Sequence, residues 1–360
     1  MLKRLLLWSL MSFIFLWTSN GAVAQQQKTE QEEATVVKVL TQKQINIAGQ
    51  KQTYQKLQLF VTKGSQQGQT ITVENGNIPT ANVLVYNLND KVIVTLSTSP
   101  NGHTIAYISD YQRQQSLYWL FGIFIVLALV VGRERGLTAL IGMGLSITII
   151  FVFILPQILA GEDPVTAVIT AAIFIVPITF YISHGFNKKT TAAIVGTVVT
   201  LFIIGILAKV FVDAAKLTGF ASEEATYLTQ IKQGTINLRG ILFAGVLIGA
   251  LGILNDITVS QAAIVAQLKE TAKTLTFKEV YFKAMAVGKD HIASMINTLI
   301  LVYTGAALPL LLLFVNNPHP FTEVINYEIV AEELVRTFVS SIGLILAVPI
   351  TTLIASFFYQ

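Results

Sequence analysis

The chain has 360 residues, of which 53% are hydrophobic and only 12% are charged, and it contains no cysteine. Soluble domains carry about 25% charged residues, so this composition is typical of a membrane protein and excludes an ordinary soluble enzyme. The lack of cysteine excludes disulfides and thiol catalysis, and the small net charge of +4 requires no nucleic-acid partner to explain it.

The first 24 residues have the pattern of a secretory signal peptide. Lys3 and Arg4 form the basic start, residues 5–17 form the apolar core, and Ala22 to Ala24 form a small-residue cleavage site. The apolar run is short for a span of about 20 residues, which favours cleavage over an uncleaved anchor helix. We therefore predict that the segment after residue 24 is exported.

Residues 25–116 are more polar and predict a small all-β domain outside the cytoplasm. Short alternating runs separated by turn residues are typical of strands. The predicted strands are residues 35–40, 57–62, 69–74, 83–87, 92–96 and 104–108. Asn89 and Asp90 have the pattern of a hairpin turn between two of them. No catalytic constellation occurs here, so this domain either docks a ligand or protein partner or serves as a structural cap.

Residues 117–360 predict a helical transmembrane domain, so the fold class is an α-helical polytopic membrane protein with about seven spans. The predicted spans are residues 117–131, 137–159, 165–182, 190–208, 240–256, 292–315 and 335–358. Basic and acidic loops alternate along the chain, apart from one loop with Lys209, Lys216, Lys232 and Arg239. Because basic loops stay in the cytoplasm, the β domain is predicted outside the cell membrane and the C-terminus inside.

The long loop between the fifth and sixth predicted spans has helical periodicity. Ile257, Ile264 and Val265 share one face, and Thr276 and Glu279 have the spacing of a capping box. Two amphipathic helices lying on the inner membrane surface are therefore predicted for this segment.

Small residues and one carboxylate share a face of the fifth predicted span. Gly245, Gly249, Gly252 and Asp256 recur three or four residues apart, so they lie on the same side of a helix. Small residues let helices approach closely in lipid, which predicts helix packing at the three glycines. An ionisable group buried in such a bundle is costly unless it is functional or paired, so Asp256 is the candidate carrier of a proton or cation.

Polar residues beside Asp256 complete a candidate path for an ion, proton or substrate. They are Asn255, and then Asp290, His291 and Asn297 near the start of the sixth predicted span. The fifth span runs inward and the sixth outward, which places both sets at a similar depth. Each has a structural alternative: Asp290 caps the sixth helix, Asn255 and Asp256 end the fifth helix at the headgroups, and His291 and Asn297 lie in helix interfaces. The histidines have no metal-ligand spacing, and no metal or cofactor is predicted.

After the β-rich exported segment, four short motifs occur along the chain. They are Gly-Arg-Glu-Arg-Gly-Leu at 132–137, Gly-Ile-Leu-Asn-Asp at 252–256, Gly-Lys-Asp-His at 288–291 and Val-Arg-Thr at 335–337. Together these motifs resemble the YibE/F family of bacterial multi-pass membrane proteins. The resemblance covers essentially the whole chain after the signal and implies a bacterial cell-membrane protein, without assigning a catalytic role. Residues 255–259 are also similar to a short segment of SecF and the RND-type permeases, which are driven by proton flow.

Three functions are compatible with these features. The first is a secondary transporter that is coupled to protons. The sequence does not identify its substrate. The second is a non-transporting membrane scaffold whose outer β domain docks a protein partner, and self-association of the chain is open in both cases. The third is an intramembrane aspartyl hydrolase that uses Asp256 and Asp290, but nothing else in the sequence supports it. No phosphate-binding G-x-x-x-x-G-K-[ST] loop occurs, and we expect no enzymatic activity.

Overall fold

The computed structural model describes residues 29–79, 83–98, 104–221, 223–232, 236–315 and 320–360. The predicted signal peptide, residues 1–24, lies outside them. The chain divides into two compact units, residues 1–123 and 124–360.

The first unit contains one antiparallel sheet with the strand order β3-β2-β1-β4-β5. Its strands are β1 (Thr29–Ile47), β2 (Gln50–Lys63), β3 (Thr70–Asn75), β4 (Lys91–Thr98) and β5 (Thr104–Tyr111). Ala48 and Gly49, both with positive φ, form the tight turn between β1 and β2. Alternating apolar residues bury one face of the sheet, since successive side chains of a strand point to opposite faces; the fully buried ones include Val36, Leu57, Leu59, Val61, Val92 and Val94.

Five of the six predicted runs lie in strands, and the run at residues 83–87 does not. The backbone of residues 83–87 forms hydrogen bonds with side chains instead of with a neighbouring strand. The buried Gln55 side chain donates from Nε2 to the Tyr86 carbonyl at 2.8 Å and accepts from the Tyr86 N–H at 2.9 Å. The predicted hairpin at Asn89 and Asp90 is therefore wrong, because the turn there joins an irregular segment to β4 and its Asn89 N–H donates to Val36 of β1.

The second unit is helical, and its first helix begins in the preceding unit. The helices are α1 (Gln114–Ile149), α2 (Leu155–Leu159), α3 (Pro164–His184), α4 (Lys188–Ala214), α5 (Glu223–Lys232), α6 (Leu238–Thr271), α7 (Phe277–Ala306), α8 (Leu308–Val315), α9 (Phe321–Val324) and α10 (Glu328–Phe358). A π-helical turn, Ile150–Ile154, joins α1 to α2. Arg133 has non-helical dihedrals (φ 50°, ψ −128°), which breaks α1 into two parts.

Among the described residues, five helical stretches are long and apolar enough to cross a membrane. A sixth is added if α7 and α8, which meet at a bend of 72°, form one broken span. The five are Gln114–Leu159, Pro164–His184, Lys188–Ala214, Leu238–Thr271 and Glu328–Phe358. These apolar helices are compatible with a membrane location and with a chain that is mostly helical apart from its N-terminal sheet.

The core of the helical unit forms where α4, α6 and α10 pack together. Ile204, Leu247, Leu254, Ile257 and Leu344 are at most 1% exposed there. Glycines let these helices approach closely. A Cβ atom on Gly343 would lie 2.2 Å from Cδ1 of Ile204, and one on Gly196 would lie 2.4 Å from Oγ1 of Thr351.

Two boundaries differ from those predicted. Helix α6 continues without a break through Asn255 and Asp256 to Thr271, and α7 begins at Phe277, well before Asp290. The alternatives in which Asp256 ends one helix and Asp290 caps the next are therefore wrong. The predicted capping box is confirmed, because Thr276 and Glu279 bond reciprocally at the start of α7.

The two amphipathic segments predicted to be separate surface helices are instead the C-terminal half of α6 and the N-terminal part of α7. Gln261 and Val265 of α6 and Val280 and Ala284 of α7 are fully buried against other helices. They pack with residues near the start of α4 and the end of α10, such as Ala193 and Ala355. This packing stabilises the C-terminal half of α6 and the N-terminal part of α7, which lie outside the apolar runs of the sequence.

Candidate functional site

Asp256 lies on the side of α6 that faces away from the helical core. Leu254, Ile257 and Thr258 are fully buried, whereas Asp256 is exposed in the isolated chain. Gly245, Gly249 and Gly252 are exposed as well, and we call the surface formed by these three glycines and Asp256 the glycine face. It is a strip of bare helix backbone that ends in a carboxylate.

The glycine face has little cover from the rest of the described chain. A Cβ atom on Gly245 or Gly252 would meet nothing within 4 Å, and one on Gly249 would lie 3.7 Å from the Tyr303 hydroxyl of α7. A helix that packs closely on this face would therefore come from outside the described residues. The packing role assigned to the three glycines stays a prediction.

Two histidines act electrostatically on Asp256, and they come from two other helices. They are His184, the last residue of α3, and His291 of α7, both half-buried. His184 also interacts with the cationic side chains of Arg135 and Lys189. The charge of Asp256 is thus influenced by two histidines, and one of them is itself influenced by two cationic side chains.

The α3–α4 turn fixes the position of His184. Gly185 ends α3 with φ 77°, in the left-handed region that favours glycine. Asn187 then caps α4, accepting from the Thr190 N–H at 2.9 Å while its Nδ2 donates to the His184 carbonyl at 2.9 Å. The backbone that carries His184 is therefore held by hydrogen bonds at the junction of two apolar helices.

The other candidate residues are next to Asp256 and His291 in sequence or farther along the same helices. Asp290 and Asn297 are exposed on α7, and Asn255 is half-buried on α6. Within the described part of the chain, Asp290 is not among the groups that act electrostatically on Asp256. Of the predicted set, the structure therefore relates His291 to Asp256, and it adds His184.

A second polar region lies inside the core, where α4, α6, α7 and α10 meet. The Thr197 and Thr258 hydroxyls are 2.8 Å apart. Nε2 of the fully buried Gln261 donates to the Ala284 carbonyl at 3.1 Å and to the Thr352 hydroxyl at 2.8 Å. No sequence pattern marks these residues as a site, because hydroxyls in apolar helices usually bond to their own helix backbone.

Among the described residues, no group of three or more histidines and carboxylates could hold a metal ion. The site relates one carboxylate to two imidazoles, side chains that can gain or lose a proton, beside an open strip of helix backbone.

Comparisons with known proteins agree with the motif resemblance. The model of the family described as YibE/F-like protein matches residues 120–360, which is more than half of the 360-residue chain. No curated protein matches the chain, and no solved structure matches it. The matched region includes the helical unit with Asp256, His184 and His291. The chain therefore belongs to the YibE/F-like family.

Proposed function

We propose that this protein is a proton-coupled secondary transporter of a bacterial cell membrane, in which Asp256 carries the proton. The observation that supports this most strongly is the grouping of Asp256 with His184 and His291, one residue from each of three helices. Ionisable side chains within apolar helices are costly, and where they occur they commonly mark proton or ion pathways.

The break at Arg133 supports a topology of seven spans. Gly136 and Ala128 are eight residues apart, which is about 12 Å along a straight helix. A Cβ atom on Gly136 would nevertheless lie 2.0 Å from the Ala128 carbonyl oxygen, so the chain bends sharply between them. If the 46-residue stretch Gln114–Leu159 is two spans and the bent pair α7 and α8 is one, the five stretches and the pair give seven spans.

The cationic residues near His184 support a position of the site toward the cytoplasmic surface. Arg135 lies near the start of the second part of α1. Lys188 and Lys189 lie at the start of α4, close to the end of α3. Because basic residues are retained on the inner side, this end of the bundle faces the cytoplasm. In this orientation the N-terminal sheet lies outside and the C-terminus inside.

The chemistry of the grouping suits a carrier of protons. Histidine is the side chain that most readily gains and loses a proton near neutral pH, so His184 and His291 can exchange protons with Asp256. Protonation of Asp256 removes its charge and lowers the cost of moving it next to apolar surface. The uncovered glycines provide room for another helix to move along α6.

The experiment measures proton entry into liposomes that contain the purified full-length protein. A potassium diffusion potential drives protons inward, and a trapped pH-sensitive dye reports them. We expect Asp256→Asn to reduce the protein-dependent proton flux by about tenfold or more, because the amide has no proton to exchange at neutral pH.

The matched control is Asp290→Asn, which makes the same chemical change on the exposed side of α7. We expect this variant to retain the wild-type flux, because Asp290 is not among the groups acting on Asp256. Equal flux in wild type and Asp256→Asn would contradict the proposal, as would an equal loss in both variants.

A further inference from the structure

Helix α10 carries most of the buried polar atoms that have no partner in the described part of the chain. Six buried side-chain nitrogen or oxygen atoms lack a hydrogen bond, and five of them belong to this helix. They are Glu332 Oε1, Arg336 Nε, Ser340 Oγ, Thr351 Oγ1 and Ser356 Oγ, and the sixth is Gln261 Oε1. Because most of these atoms without a hydrogen bond belong to α10, one feature of the surroundings of this helix should explain them.

Most of these residues line one face of α10. Glu332, Arg336 and Ser340 follow one another at intervals of four residues, so they stack along the helix. Gly343 and Ala347 continue the face as far as Thr351 with small residues. Glu332 is 9% exposed, Ser340 2% and Thr351 0%, so the face is turned into the protein.

Hydroxyl groups one position away donate to backbone carbonyls of α10, so the helix itself offers hydrogen-bond acceptors. Ser341 donates to the Thr337 carbonyl at 2.7 Å, and Thr352 donates to the Val348 carbonyl at 2.6 Å. Ser340 and Thr351, one position earlier in each case, make no such bond. A buried polar group without a partner is destabilising, and where the protein supplies no partner an ordered water commonly does.

An apolar side chain interrupts this face between Ser340 and Thr351. Ile204 of α4, which is fully buried, lies against Gly343 so closely that a Cβ atom there would be 2.2 Å from its Cδ1. The face is therefore divided into a segment with Glu332, Arg336 and Ser340 and a segment with Thr351, near Gly196 of α4.

We propose that α10 lines a hydrated path through the helical unit, which Ile204 closes in this structure. Water in the first segment binds Glu332, Arg336 and Ser340, and water in the second binds Thr351. A polar face of this kind, divided by one apolar side chain, is suited to water access from either end of the bundle. The inference concerns residues other than Asp256 and does not rest on the proposed proton carrier.

Cysteine labelling tests the path, because the chain has no cysteine and each variant introduces a single thiol. The full-length protein in liposomes is treated on both sides with a small, positively charged methanethiosulfonate reagent. Only a hydrated thiol ionises and reacts readily, so we expect Ser340→Cys to react about tenfold faster than Ser341→Cys. The same ratio is expected for Thr351→Cys over Thr352→Cys.

The neighbouring positions are matched controls, since each pair has the same substitution on the same helix and differs in whether the native hydroxyl is satisfied. Size-exclusion profiles like that of wild type show that the compared variants are folded. Reactivity at Ser340→Cys or Thr351→Cys that is no higher than at its neighbour would overturn the proposal. The result is independent of proton flux, so this inference and the role of Asp256 can fail separately.

Discussion

Gly288→Ala is expected to destabilise the helical unit by about 1–3 kcal/mol, the usual cost of adding a methyl group to a well-packed core. A Cβ atom at this position would lie 2.6 Å from Cγ1 of Val348 and 3.0 Å from Nε2 of Gln261. Val348 is fully buried and β-branched, so it has few other rotamers. Gln261 is held by its bonds to Ala284 and Thr352 and cannot withdraw without losing them.

Gly252→Ala is the matched control, and its expected effect has the opposite sign. A Cβ atom on Gly252 would meet nothing within 4 Å. Alanine in the middle of a helix is favoured over glycine by about 1 kcal/mol. Thermal unfolding of both variants in detergent measures the difference: a lower midpoint for Gly288→Ala and an unchanged or higher one for Gly252→Ala. A greater loss at Gly252 than at Gly288 would contradict the close packing of Gly288 against Val348 and Gln261.

Gly136→Ala is expected to disrupt the bend of α1, because the new methyl group would meet backbone that cannot rotate away. Its Cβ atom would lie 2.0 Å from the Ala128 carbonyl oxygen and 2.8 Å from the carbonyl carbon. The two parts of α1 would have to separate at Arg133. We expect a strong loss of folded protein after purification.

Gly132→Ala changes the same motif on the other side of Arg133, where a Cβ atom would meet nothing within 4 Å. It should therefore yield folded protein at nearly the wild-type level. The fraction of each variant that elutes as a monodisperse peak in detergent provides the measurement. If both variants elute like wild type, the sharp bend at Arg133 is contradicted.

The sheet illustrates how far local patterns predict structure. Alternation of apolar residues located all five strands, because one face of each strand is buried in the core. The same alternation also occurs at residues 83–87, which are not a strand. There Gln55, distant in sequence, occupies the backbone groups of Tyr86 with its side-chain amide. No pattern in the residues around 83–87 indicates this contact with Gln55.

The helical unit shows the same limit at α6 and α7. The apolar run of the sequence stops near Asp256, but the helix continues because Gln261 and Val265 are buried by α4, α7 and α10. The capping box at Thr276 was predictable, since it depends on two residues three positions apart. The site was predictable only in part, since the proximity of His184 to Asp256 depends on how α3 packs beside α6.

Infrared difference spectroscopy of the reconstituted full-length protein tests whether Asp256 gains and loses a proton. On acidification, we expect one component of the carboxylic acid C=O band to be present in wild type and Asp290→Asn and absent in Asp256→Asn. Changes in imidazole bands should accompany that C=O band, because His184 and His291 interact with the same carboxylate. Identical difference spectra for wild type and Asp256→Asn would contradict the account.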